Sequence, residues 1–251
     1  MDLPEPLRQF AADPAAVPIE DALFWVAACR PQPAATIDTL HTRLDGLAED
    51  VPQMNLAAIC HTVFGSGGFR GDTADYYDPQ NSLLDLVVER RLGIPITLSV
   101  VLIAVARRLD VPIQAIGAPG HFLVLDPVSM HYRDPFNRGV IVERSALGRG
   151  VAGGGRRDEM VPAAGPSEIV NRVLNNLQNS YSSRDPRQLD WVLDLRLALP
   201  DELRGDQRVL ASLCERRGRF GEAAALLGRL ADQWGDDRLR RRATGLAARL
   251  N

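Results

Sequence analysis

Apolar residues recur at spacings of three and four from Pro18 to about Cys29, from Ala34 to about Ala48 and from Gln53 to Phe64, as amphipathic helices burying one stripe require. GSGGFRGD, Gly65 to Asp72, interrupts this pattern with four glycines. YYDPQNSLL follows, where Asn81 or Ser82 is placed to cap a helix carrying Leu83, Leu84, Val87 and Val88 toward Arg91. Gly93 is expected to end that helix and Pro95 to open the next. In ITLSVVLIAVARRL, Leu98, Val101, Leu102, Val105 and Leu109 share one face while Ile96, Val100 and Ile103 fill much of the other. A helix apolar nearly all round is central and buried.

Beyond Asp110 the pattern changes to short β-type runs, PIQAI, HFLVL, MHYRDPF and GVIVER, separated by turn residues. They predict a small antiparallel sheet packed on the buried helix. Gly148 to Pro166 is the most glycine-rich segment and the chain beyond it reads as helical, so a boundary is expected there, with residues 1–160 forming one domain and 166–251 an all-helical second. Within the second part, RDPRQLDWVLDLRLALPDE and GRFGEAAALLGRLADQWGDD align at an offset of 34, pairing Leu189 with Ala223, Leu193 with Leu227 and Pro200 with Trp234. That offset is the tetratricopeptide period, and an ordinary helical bundle accounts for two degenerate copies equally well.

Composition narrows the chemistry. With 45% apolar residues over 251 positions the chain has a core of ordinary size. No stretch approaches the roughly 18 consecutive apolar residues of a membrane span. The opening MDLPEPLRQFAADP carries acids and prolines where a secretory signal needs basic then apolar residues, so a cytoplasmic protein is expected. A net charge of −3 without a long basic cluster gives no electrostatic case for nucleic acid. All 29 basic residues are arginine, which removes lysine Schiff-base and P-loop chemistry. Cys29, Cys60 and Cys214 are odd in number and show no CxxC spacing, against a disulfide framework or a cysteine zinc site and in favour of buried free thiols.

The candidate chemistry centres on GAPGHFLVLDP, Gly117 to Pro127. A buried helix followed by strands carrying His121 and then Asp134 repeats the order of a papain-like thiol site. There a cysteine at the helix start is activated by the helix amides, a histidine takes its proton, and an acid on the next strand fixes the imidazole tautomer. The separation of 13 between His121 and Asp134 suits adjacent strands. The helix start itself, Gly93-Ile94-Pro95-Ile96-Thr97-Leu98, contains no cysteine. Thr97 and Ser99 bring hydroxyls without an adjacent base, and a first-turn threonine ordinarily caps orphan amides. Cys60 beside His61 in a helix cannot meet it, since helical neighbours point about 100° apart. Glu89 and Arg91, in the segment feeding that helix start, join Thr97 as candidate binding residues, with a salt-bridged helix end as the plainer account of the first two. A metal held by His121 and Asp134, with or without His131 or Glu89, is a third alternative; joint ligation by His131 and Asp134 needs a bent strand, because residues three apart in a strand face opposite ways. No cofactor is implied.

From Cys60 to Gly139, through NSLL, ERRLGIPITL, PGHFLV and DPFN, and again in RVLNNLQNSY from Arg172 to Tyr181, the chain resembles the SirB family, bacterial transglutaminase-like proteins with a C-terminal tetratricopeptide-like region. The resemblance implies an α+β fold: a papain/transglutaminase-like core of helices plus a small antiparallel sheet, followed by an all-α tetratricopeptide-like region. Matched residue by residue, it puts His121 and Asp134 on the superfamily's catalytic histidine and acid, and Pro95 or Ile96 on its cysteine. The SirB-type GIPI motif shares this departure. The expected function is therefore a non-catalytic, regulatory interaction protein that engages a protein partner through its helical repeats, with no nucleic acid and no membrane involved. The alternative is a hydrolase or acyl-transfer enzyme working from a His121/Asp134 site without the cysteine.

Overall fold

The computed structural model describes residues 1–118, 121–143 and 162–250, so most of the glycine-rich stretch at the expected boundary lies outside the described residues. The periodic N-terminal segments form α2 (Ile19–Ala28), α3 (Ile37–Glu49) and α4 (Leu56–Phe64). Thr36 and Asn55 cap α3 and α4 through Thr39 N and Ala58 N. A shorter helix, α1 (Glu5–Ala12), precedes them and buries only Leu7 and Phe10, too few positions to establish a period.

The next helix, α5 (Leu84–Arg90), departs from its expected ends. Neither Asn81 nor Ser82 caps it, since both belong to a 3-10 turn, Pro79–Ser82, and Leu83 occupies the N-cap. It terminates before Gly93, with Arg91 in the left-handed conformation at φ 58°. Gly93 instead pairs with Gly71 in a two-residue parallel contact between β1 (Arg70–Gly71) and β2 (Leu92–Gly93). A side chain at Gly93 would lie 2.9 Å from Thr97 Oγ1, so glycine is required by close approach.

As expected, Pro95 opens α6 (Pro95–Arg108), which is buried on nearly every side. The sheet is antiparallel in the order β3 (Gln114–Ala118), β4 (His121–Asp126), β5 (His131–Asp134) and β6 (Val140–Val142). Phe122 and Val124 of β4 join the main core with α6, while Leu123 and Leu125 join Ile116 and Tyr132 on the opposite face, following strand alternation.

The C-terminal helices are α7 (Pro166–Arg184), α8 (Leu189–Ala198), α9 (Gln207–Arg216), α10 (Phe220–Trp234) and α11 (Asp237–Ala247). Leu189 and Ala223, and Leu193 and Leu227, occupy matching buried positions on α8 and α10, whereas Trp234 is exposed. The α7 helix contributes Val170, Val173, Leu174 and Leu177 to the same core as α2 and α6. Its entry is stitched to β3 by a hydrogen bond from Ala164 N to Ala115 O at 2.8 Å and an antiparallel bridge between Ile116 and Ala163. Its far end is held by Arg184, which grips Asp75 with two bonds of 2.5 and 2.7 Å. No described helix is long and apolar enough to cross a membrane.

Candidate functional site at the start of the buried helix

A cavity of about 290 Å³ opens at the N-terminal end of α6. Ile94, Pro95 and Ile96 form its floor and Phe122 one apolar wall. His121 stands at its rim, and Tyr76 enters from the loop after β1. The remaining wall comes from α7, through Arg172, Asn175 and Asn176. The Arg172 guanidinium lies 5.6 Å from the Phe122 ring centroid, a cation–π contact, and 3.4 Å from Glu168. Behind the wall, buried Arg196 donates to Asn175 Oδ1 at 2.6 Å and to the Arg204 carbonyl at 2.5 Å, and burial lowers its pKa to about 10.

His121 and Asp134 do not form a hydrogen-bonded dyad in this arrangement. The β4–β5 ladder ends at Val124 and Arg133, so Asp134 lies one residue past the last pair and His121 three. The Asp134 carboxylate is taken up by its own turn. Its Oδ1 accepts from Phe136 N at 2.9 Å and Asn137 N at 3.3 Å, and its Oδ2 accepts from Asn137 Nδ2 at 2.6 Å. Among the described residues, no hydrogen bond reaches the exposed His121 imidazole.

The DPFN turn has a packing role of its own. Phe136 covers Gly71 so closely that a Cβ there would lie 2.5 Å from its ring, and it meets Tyr76 edge-on with centroids 5.7 Å apart. Gly139, at φ +70°, sits where an added Cβ would be 3.0 Å from Cys60 Sγ. The turn therefore docks the sheet on β1 and α4 and positions one wall of the cavity.

Thr97 faces inward and is fully buried. Its hydroxyl donates toward Asn81 O at 2.8 Å and Ile94 O at 3.1 Å and accepts from Ile94 N at 3.2 Å, closing the first turn of α6. Glu89 and Arg91 are exposed and do not line the cavity; the Arg91 side chain lies along Gly68. Ser99 Oγ returns to Pro95 O at 2.8 Å. Cys60 lies elsewhere, beside His61, Arg133 and Arg138, and burial pushes its thiol up to about 11. Cys29 and Cys214 are likewise raised to about 11 by burial. Among the described residues, no group of three His, Cys, Asp or Glu side chains is arranged to hold a metal ion.

A polar network missed by sequence reasoning fixes the Tyr76 loop. Buried Asn81 donates to Asp72 Oδ2 at 3.0 Å and to Asp75 O at 2.8 Å and accepts from Arg90 at 3.3 Å. Asp72 Oδ1 accepts from Ala74 N and Asp75 N at 3.1 and 3.0 Å. Burial alone would raise the Asp72 carboxyl, but hydrogen bonds from Asp75 N, Asn81 and Ala74 N, with the Arg90 charge, hold it below the usual aspartate value. The Asp72 and Asn81 side chains are thus spent on the loop's shape, and Tyr76 lines the cavity.

With this geometry in view, the comparisons with known proteins are coherent. The transglutaminase-like superfamily model matches residues 33–175, more than half of the chain, and the chain belongs to that superfamily. It is 36% identical over 184 residues to a UPF0162 protein of Xylella fastidiosa strain Temecula1, covering 67% of this chain and 66% of the relative. A UPF0162 protein of Pseudomonas aeruginosa is 32% identical over 120 residues, 46% of this chain and 44% of the relative. The chain thus spans just under two thirds of the Xylella relative's length and less of the Pseudomonas one. Mouse F-box only protein 21 is 35% identical over 94 residues, 34% of this chain and 15% of that protein. No solved structure matches.

Proposed function

We propose that the chain is a SirB-type transglutaminase-like protein that works by binding and not by acyl transfer: a cytoplasmic interaction protein whose tetratricopeptide-like tail engages a protein partner. The observation that carries this reading is the first turn of α6. At the helix start where a thiol nucleophile would be activated, the cavity floor is Ile94, Pro95 and Ile96. The nearest hydroxyl, Thr97, is spent on closing the turn. None of the three thiols lines the cavity, and each is protonated at neutral pH. The matching buried positions on α8 and α10 support a repeated helical tail.

The cavity favours a second reading beside the first. Arg172, Asn175, Asn176, Tyr76 and His121 converge on a partly apolar space, the composition of a small polar-ligand site. His121 would contact such a ligand. Hydrolysis from His121 lacks the orienting acid, because Asp134 is committed to its turn.

Amine incorporation into a glutamine-rich protein acceptor and hydrolysis of model esters, measured for the wild type and His121→Ala, test the proposal. Turnover at the buffer rate in both is the expected result. A wild-type activity abolished by His121→Ala would overturn it.

A further inference from the structure

We infer that an open groove built around Trp234 on the C-terminal tail docks an acidic segment of a protein partner, an inference that rests on the interaction reading above. Trp234 ends α10 with 50% of its surface in solvent, while Leu226, Leu227 and Leu230 of the same helix are buried. The Arg208 guanidinium, from the start of α9, lies 4.3 Å from the centre of its ring. Arg238 and Arg241, from α11, line the same groove of about 680 Å³.

Like Arg187, Arg216 and Arg249 elsewhere on the tail, the three arginines of the groove make no ion pair among the described residues, but here they share one groove with an exposed indole. Other guanidinium groups on the tail are paired: Arg217 with Asp190 at 2.7 Å, Arg219 with Asp194 at 2.7 Å and Arg242 with Glu215 at 2.5 Å. Among the described residues, no carboxylate lies within ion-pair distance of Arg208, Arg238 or Arg241. The two acids of the groove are already engaged. Asp236 Oδ1 caps α11 by accepting from Arg238 N at 2.8 Å and Leu239 N at 3.3 Å, and Asp237 meets Arg240 at 3.1 Å. Residues 166–251 carry 15 arginines against 12 acids, whereas residues 1–165 carry 14 against 20. The positive side of the molecule is therefore its tail, and within the tail this groove presents unpaired guanidinium groups around an exposed indole. Tryptophan and arginine are the side chains that most often anchor an interface, and carboxylates are the groups that satisfy unpaired guanidinium. A polypeptide fits better than a nucleic acid, whose backbone needs a track of cations along successive phosphates; here Arg208 lies over the indole ring, and Asp236 and Asp237 share the groove with Arg238 and Arg241.

The test uses the purified full chain and a fluorescein-labelled peptide of alternating glutamate and leucine, read by anisotropy and by tryptophan fluorescence. Controls are the same peptide with glutamine for glutamate and a labelled oligothymidylate. The expected result is salt-sensitive binding of the glutamate peptide alone, weakened about tenfold or more by Trp234→Ala and by the Arg208→Gln/Arg241→Gln pair. All three positions lie at the surface groove, and unchanged thermal melting of the variants establishes that they fold. Absence of peptide binding, equal binding by the variants, or preference for the oligothymidylate would overturn the inference. So would self-association lost in the same variants, which would assign the groove to a second copy of the chain. Each of these outcomes leaves the amine-incorporation test intact, so failure of the groove and failure of the interaction reading are separately visible.

Discussion

At its C-terminal end α6 presents Arg107 and Arg108 to Glu20, which is wholly buried and accepts from Arg107 at 2.6 and 2.9 Å and from Arg108 at 3.3 Å. At its N-terminal end the same helix presents Ile94, Pro95 and Ile96 to an open cavity. The charged end carries the groups associated with chemistry. His41 Nε2 lies 3.0 Å from Asp21 Oδ1, and Arg108 Nη2 lies 2.8 Å from His41 Nδ1. Arginine can only donate, so Nδ1 accepts and the imidazole proton sits on Nε2, toward the acid. Burial raises the Asp21 carboxyl. Yet this histidine–acid contact is a clamp joining α2, α3 and α6, while His121, at the cavity beside the other end of α6, has no acid bonded to it among the described residues. A list of reactive residue types does not locate a site; the cavity and the freedom of the groups around it do.

The difference between the two ends is open to mutation. The largest expected effect is at the charged end: Glu20→Ala leaves two guanidinium groups without their buried partner and should cost about 3 kcal/mol or more, measured as a lowered midpoint in urea unfolding. At the cavity end, Thr97→Val removes the hydroxyl that joins Ile94 to Asn81. The expected loss is about 1–3 kcal/mol, the penalty for buried polar groups left unmade, read by the same unfolding curves.

These two ends were unequally legible in the sequence. The course of α6 and its burial could be read because a helix apolar on both faces has one stable environment, and the four strands could be read from their alternation and turns. The absence of a thiol from the helix start was equally plain, since it depends on identities alone. The isolation of Asp134 was harder to foresee, because two uses compete for one carboxylate. The two-residue step from Asp134 to Phe136 is an Asx-turn, but only the packing of Phe136 on Gly71 decides that the turn prevails. The α7 wall of the cavity could not be read, because Arg172, Asn175 and Asn176 reach it through tertiary docking and not through any local pattern. Asn81 likewise looked like a helix cap, and its actual partners, Asp72, Asp75 and Arg90, are brought together by the fold.

A smaller effect, dependent on pH, tests that network. Because the Asp72 carboxyl is held below its usual value in the folded chain, its stabilisation is present above the unfolded-state pKa near 3.8 and is lost as pH falls through the lower folded value. Thermal melting of the wild type should therefore fall over this acid range, and Asp72→Asn should flatten that part of the profile while lowering stability at neutral pH.

The central claim, that no activated nucleophile serves the cavity, is tested most directly by the pH dependence of iodoacetamide labelling of the native chain, resolved cysteine by cysteine by mass spectrometry. With Cys29, Cys60 and Cys214 each held near 11, labelling at neutral pH should be slow at all three and rise only in strongly alkaline solution. A thiol labelled rapidly at neutral pH, and slowed by His121→Ala, would contradict the account.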